Sequence, residues 1–189
     1  MSPISVTHEL WRRAKAGDQG AFDELFSIHT ERLLVFIGAR LGERLRARVE
    51  PQDILQDAYA AAWQGISQFN YSDDGAFLRW MCRIVDHRLR DANDYFTAAK
   101  RQVQEIPQSA PTGPVTALSR AEDRERLQAA LTQLSGEHRE VILLRYFQGL
   151  SAEETGERMQ RSTGAIRNLL SRALVELGKH MKSGKDSLS

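Results

Sequence analysis

The sequence predicts an all-α protein of two small helical domains joined by a flexible linker, the C-terminal one a helix-turn-helix. Three observations carry this. Apolar residues recur at steps of three and four nearly everywhere, and no stretch of strand-like alternation has useful length. Pro107, Pro111, Gly113 and Pro114 crowd into one stretch poor in large apolar residues. Beyond it, two short helical patterns meet across a tight turn next to a strongly apolar support helix.

From the N-terminus, Thr7 is placed to cap a first helix that carries Leu10 and Trp11 and ends at Gly17. Asp18 is an N-cap candidate for a second helix with Phe22, Leu25, Phe26, His29, Leu33, Leu34 and Ile37 on one face. A polar stretch from Gly42 to Glu50 follows, and Pro51 suits the first turn of a third helix. Ile54, Leu55, Ala58, Tyr59, Ala62 and Trp63 share a face there. Asn70 to Gly75 is rich in turn formers, and a fourth helix from Ala76 carries Phe77, Trp80, Met81, Ile84, Val85 and Leu89.

The domain limits are expected at residues 1–102, 103–119 for the linker, 120–182, and 183–189 for a short tail. Fully extended, the linker spans at most roughly 55 Å. Past it, Ala121 to Gln133 is helical, with Leu127, Ala130 and Leu131 inward. Ser135 caps the apolar helix bearing Val141 to Leu144, Tyr146 and Phe147, and Gly149 stops it. Ser151 with Glu154 forms a capping box for a helix through Met159. Ser162 or Thr163 starts the last helix, with Ile166, Leu169, Leu170, Ala173, Leu174 and Leu177 inside. Gly156 leaves room for close approach within the helical pair.

The net charge of +1 hides a strong partition. From Arg158 to Ser189 seven basic residues face two acidic ones, whereas Arg120 to Glu157 holds five basic and eight acidic. Arg79 to Arg101 holds six basic against three acidic, with Tyr95 and Phe96 among them. Clustered cations give affinity for phosphates, and side chains at base edges give sequence choice. Cations beside flat rings suit a single strand whose bases stack.

Other chemistries are not supported. The single cysteine, Cys82, can form neither an internal disulfide nor a Cys-x-x-Cys zinc pair. His8, His29, His87, His138 and His180 are scattered without metal spacing, and no Walker loop, nucleophile elbow or dinucleotide fingerprint occurs. The expectation is therefore no enzyme, no cofactor and no bound metal. The opening MSPISVTHELWRRAKAGD holds no apolar core of signal-peptide length, and no window nears the roughly 20 apolar residues of a membrane span. A cytoplasmic protein without membrane insertion is expected.

Leu131 to Leu177 resembles the promoter-reading domain of bacterial RNA polymerase sigma factors, above all the two-domain extracytoplasmic-function (ECF) group. The residues that carry the likeness are Leu134, Arg139, Val141, Leu144, Arg145, Leu150, Ser151, Glu154, Gly164-Ala165-Ile166 and Arg172-Ala173. Independently, AGDQGAFDELFSIHTERLLVF, PQDILQDAYAAAW and FLRWMCRIVDHRLRDA resemble the opening, clamp-docking and promoter-melting segments of the other sigma domain.

The resemblance implies core RNA polymerase (its clamp and flap) and promoter DNA as partners, with an anti-sigma factor as a further one. It implies polymerase contacts at Asp53, Gln56, Asp57 and Tyr59, and contacts to the minus-ten element and melted strand at Arg79, Arg83, Arg88, Arg90 and Asn93. For the minus-thirty-five element it implies Arg161, Ser162, Thr163, Arg167, Asn168, Ser171 and Arg172. The alternative is a helix-turn-helix regulator that acts on DNA without docking on core polymerase. The residues alone leave Trp80 and Ile84 as core.

Overall fold

The computed structural model describes residues 6–99 and 117–186, and all regular structure among them is helical. The helices are α1 (Val6–Lys15), α2 (Gln19–Arg40), α3 (Glu43–Arg46), α4 (Pro51–Gly65), α5 (Ala76–Ala99), α6 (Ala117–Gln133), α7 (Gly136–Ile142), α8 (Ala152–Met159) and α9 (Thr163–Asp186). A single 3-10 turn, Ile66–Gln68, follows α4, and a π-helical turn, Leu143–Phe147, extends α7.

Local chemistry sets most of the boundaries. The Asp18 carboxylate accepts from Ala21 N at 3.0 Å and opens α2. Pro51 occupies the first turn of α4, where its missing N–H costs nothing. Ser135 Oγ accepts from His138 N at 3.3 Å and opens α7. Thr7, by contrast, is not a cap. α1 already runs from Val6, and the Thr7 hydroxyl lies 2.6 Å from the Tyr71 hydroxyl, tying α1 to the 70–75 turn. The polar stretch after Gly42 contains the short α3, anchored by buried Leu45. α6 begins at Ala117, inside the stretch expected as linker, while 103–116 lies outside the described residues.

α2 is the axis of the molecule. It packs against α1, α4, α5 and α6, and every residue from Leu33 to Ala39 is buried. A helix that is apolar all round has to be covered all round. One side rests on α4 and α5, where Phe22, Leu25, Leu33 and Ile37 meet Phe77, Met81 and Val85 in the core. Glu31, Leu34, Val35 and Gly38, at steps of three and four, form a second stripe. α6 covers that side, with Arg124 paired to Glu31 at 3.1 Å and the Gln128 side chain against Gly38. The ring of Phe36 packs at a tilt against Phe147 of the π turn, 5.6 Å between centres. One buried cluster therefore includes side chains from α1–α5 and from α6–α9. Two groups of helices are present, and they are docked.

Candidate nucleic-acid interface

The C-terminal end builds a helix-turn-helix from its caps. Gly149, at φ +65°, ends the π turn, and Leu150 N donates back to Leu144 O at 3.0 Å, which closes the helix end. Glu154 N donates to Ser151 Oγ at 3.1 Å while Glu154 Oε2 accepts from Ser151 N at 2.6 Å, so α8 opens on a complete capping box. These bonds hold the Glu154 carboxyl below its usual range.

Gln160 then takes a left-handed conformation at φ +55°, and Arg161 N donates to Gly156 O at 2.8 Å. A side chain at Gly156 would begin 2.6 Å from the backbone oxygen of Arg161. The glycine is thus required by the turn itself rather than by the crossing of the two helices. Ser162 Oγ accepts from Ala165 N at 3.2 Å and caps α9.

α9 divides cleanly along its length. Ile166, Leu169 and Ala173 are buried against the rest of the unit, whereas Arg167, Asn168, Ser171 and Arg172 are exposed. Arg161 is exposed but ion-paired with Glu137 of α7 at 2.5 Å, and Thr163 is half-buried. Leu174, expected inside, is 37% exposed. It stands toward the Arg167 side of the helix, away from the Leu169–Ala173 stripe. His138 of α7 meets Glu176 at 2.5 Å and fixes the far part of α9.

Sequence reasoning passed over the continuation of the outward face. Asn168, Ser171, Val175, Lys179 and Lys182 advance by three and four, and all are exposed. The spacing was a readable signal, hidden by the apolar Val175.

The second basic element is α5. Arg79, Arg83, Asp86, Arg90 and Asn93 recur at helical spacing, so they share one side, with His87 at its border. Arg88, nine residues after Arg79, stands on the opposite side and pairs with Asp91 at 3.2 Å. It does not join the other arginines. Arg79 holds Asp73 with two bonds, 2.9 Å and 2.5 Å, and keeps that carboxyl far below the usual range. Arg83, Arg90 and Asn93 are exposed.

The aromatic pair departs from expectation. Phe96 is half-buried with the Arg48 guanidinium 5.6 Å from its ring centre, and Tyr95 projects near the Arg88 side. Trp80 stacks on Phe69 at 4.6 Å as a packing residue, and Ile84 is half-buried.

On α4, Asp53, Gln56 and Asp57 form an exposed polar face. Asp53 also accepts from Glu50 N at 3.3 Å, closing the helix start. Tyr59 points elsewhere. It donates to Asp23 and packs edge-on at 5.0 Å to Phe26 and 5.1 Å to Phe22, in the seam with α2. The Asp23 bond and burial push its phenol up.

Where the two groups of helices meet, the α5 stripe faces a cleft of about 450 Å³ whose other wall includes Gln148, Leu150, Glu154 and Arg158. Behind it lies a charged node. Arg40 pairs with Asp86 at 3.4 Å and with Glu140, and Gln148 Nε2 donates to Asp86 Oδ2 at 2.5 Å. Burial pushes the Asp86 carboxyl up, against the opposing pull of Arg40 and the Gln148 bond. Cys82 is buried nearby, its thiol pushed up by burial. Among the described residues, no helix is long and apolar enough to cross a membrane.

A capped helix-turn-helix with a basic outward face, accompanied by a second basic helix on the other group of helices, is the architecture of a helical DNA-binding protein. Comparison with known proteins gives the family. Residues 28–101 match the sigma-70 region 2 model and residues 124–177 the sigma-70 region 4 model. The ECF RNA polymerase sigma factor SigD of Mycobacterium tuberculosis (strain ATCC 25618 / H37Rv) is 30% identical over 180 residues, covering 92% of this chain and 82% of that protein. RNA polymerase sigma factor NccH of Alcaligenes xylosoxydans xylosoxydans is 29% identical over 196 residues, covering 98% and 100%. The solved structure of CnrH in complex with the cytosolic domain of CnrY shares the fold, with a TM-score of 0.52 and 22% identity over 95% of this chain and 99% of that one. The chain belongs to the sigma-70 family, in its ECF branch. Members of this family are non-catalytic factors that bind core RNA polymerase and start transcription at chosen promoters.

Proposed function

We propose that this chain assigns its promoter and polymerase contacts to three separate surfaces. The outward face of α9 enters the major groove of the upstream element, with Arg167, Asn168 and Ser171 toward base edges and Arg172 at the border. A helix fits that groove, and a bidentate arginine there selects guanine. Arg161, Ser162 and Thr163 shape the turn, since two of them are already engaged in an ion pair and a cap. The α5 stripe of Arg79, Arg83, Arg90 and Asn93 holds the downstream element and the opened strand. The exposed face of α4, Asp53, Gln56 and Asp57, docks on the polymerase clamp.

The chain acts in the cytoplasm, where the polymerase is, and performs no chemistry of its own. Residues 103–116 serve as the tether between the two units. The observation that supports this reading most directly is the sharp division of α9: apolar and buried on one side, basic or polar and exposed on the other, held by a complete set of caps.

Run-off transcription with purified core polymerase on a promoter library tests it. Transcripts that start at a shared two-part element are expected. DNA binding that is independent of polymerase, with no transcript from any template, would return the reading to a stand-alone regulator.

A further inference from the structure

We propose that α1 is a positioning element for the strand-holding stripe of α5, and that its Thr7, in contact with Tyr71 and Asp74, braces the 70–75 turn from which the stripe starts. The inference rests on the strand-binding role given to that stripe above. α1 lies before residues 28–101, which carry the region 2 match. It packs on α2, and Leu10 and Ala14 are its buried residues. Thr7, His8 and Trp11, at steps of three and four, form the adjoining face, and that face is spent on the turn. The Thr7 hydroxyl lies 2.6 Å from the Tyr71 oxygen and 3.3 Å from Asp74 Oδ1. The Tyr71 hydroxyl donates to Asp74 Oδ1 at 2.6 Å. The Tyr71 ring sits 5.0 Å from His8 and 5.6 Å from Trp11, and Trp11 also meets Phe69 edge-on at 6.4 Å.

The turn is held from the α5 side as well. Asp73 accepts from Arg79 at 2.9 Å and 2.5 Å, from Ser72 Oγ at 2.9 Å and from Gly75 N at 2.9 Å. Phe69 stacks on Trp80 of α5. Two consecutive carboxylates therefore stand at the head of a basic stripe, and both are engaged, Asp73 with Arg79 and Asp74 with Tyr71 and Thr7. That engagement matters to a strand. A cation grips phosphate best when its position is already fixed, and a carboxylate left to swing along the stripe repels phosphate. The α1 contacts keep Asp74 and the turn in place, the turn keeps Asp73 on Arg79, and Arg79 opens the stripe that runs on to Arg83 and Arg90.

Open-complex lifetime on promoter DNA tests the brace, in holoenzyme assembled from core polymerase and the full-length chain. Thr7→Val and Tyr71→Phe each remove one hydroxyl and keep the bulk of the side chain, and circular dichroism checks their fold. Both are expected to shorten the open complex about fivefold, in line with one lost hydrogen bond. Holoenzyme affinity and upstream-duplex binding should stay at the parent level. Thr7→Ser keeps the hydroxyl and should keep the parent lifetime. In an Arg79→Ala background Thr7→Val should add nothing further, because α1 acts through the turn on Arg79. General loosening of the bundle would instead add its loss to that of Arg79→Ala. Parent lifetimes in both hydroxyl variants, a shortened lifetime in Thr7→Ser equal to that of Thr7→Val, or additive losses with Arg79→Ala would overturn the brace. Arg83→Ala separates it from the reading beneath it. A parent lifetime for that variant refutes strand holding by α5, whereas a shortened one beside parent lifetimes for Thr7→Val and Tyr71→Phe refutes only the brace.

Discussion

α5 and α9 are both helices of 24 residues with arginines along one side, yet they stand in opposite situations. α9 turns its cations to open solvent, and its partners are spent on holding the helix in place: His138 with Glu176, and the Ser162 cap. On α5 the arginines have neighbours. Arg79 is tied to Asp73, Arg90 donates to the carbonyl of Asp86, and Arg79, Arg83 and Arg90 line a cleft whose other wall includes α8. Two basic helices in the sequence therefore have different surroundings in the fold. On the reading proposed above, the duplex-reading face stands open, while the α5 stripe lines a cleft with Arg83 and Arg90 still exposed.

The largest effect expected on this contrast comes from breaking the open side. Gly156→Val drives a Cβ into the Arg161 backbone oxygen, an atom that cannot swing away. A cost of about 1–3 kcal/mol to the C-terminal helices follows, with loss of measurable binding to the upstream duplex. Thermal melts and fluorescence anisotropy read both. Gly75→Ala is the matched control. Its Cβ meets side-chain ends rather than backbone, Arg79 at 2.6 Å and Asp73 at 3.2 Å, so a smaller loss of stability is expected. Duplex binding by Gly156→Val at the parent level would show that the turn does not position α9.

A smaller effect sharpens the geometry within α9. Arg167→Ala should cost roughly 1–3 kcal/mol of upstream-element binding if its guanidinium meets a base edge. Arg172, whose Nε already leans on Asn168 O at 3.4 Å, sits at the border of the face and should lose less, mainly as a reduced salt slope. Titrations at several salt concentrations distinguish the two. An equal, purely electrostatic loss for both would move the reading of bases to other residues.

The third test concerns α4, where one carboxylate has two duties. Asp57→Arg reverses charge on the exposed face only and should weaken holoenzyme formation about tenfold. Asp53→Arg should do the same and also lose the bond to Glu50 N, costing about 0.5–1 kcal/mol of stability. Affinity for core polymerase and chemical denaturation, measured on both variants, separate docking from capping. Unchanged affinity in both would remove this face from the interface.

Legibility in the sequence followed the chemistry. Caps are short-range, so Asp18, Ser135, Ser162 and the Ser151–Glu154 box were readable from neighbouring residues alone. The helix-turn-helix was readable for the same reason. The docking of the two units was harder. Periodicity marks a buried face only when the opposite face is polar, and Leu33–Ala39 is apolar throughout, so one face was read and the α6-facing stripe was not. The π turn at Leu143–Phe147 has no compositional mark, although it delivers Phe147 to Phe36 and Gln148 to Asp86. Periodicity put Tyr59 on the apolar face of α4, where its ring meets Phe22 and Phe26, while the resemblance grouped it with the polar residues Asp53, Gln56 and Asp57. Roles assigned along α5 by resemblance likewise ignored which side of the helix each residue occupies.

That last point supplies the finest test of the contrast between the two arginine helices. Arg83 faces the cleft; Arg88 faces away and is paired with Asp91. Both are arginines in the same melting segment, so charge counting treats them alike. With promoter DNA opened in the holoenzyme, Arg83→Ala should weaken the open complex by roughly 1 kcal/mol or more, whereas Arg88→Ala should stay within about 0.5 kcal/mol. Open-complex lifetime, measured by challenge with competitor DNA, resolves a difference of that size. If the Arg88 variant proved the more damaging, the strand would have to run along the far side of α5.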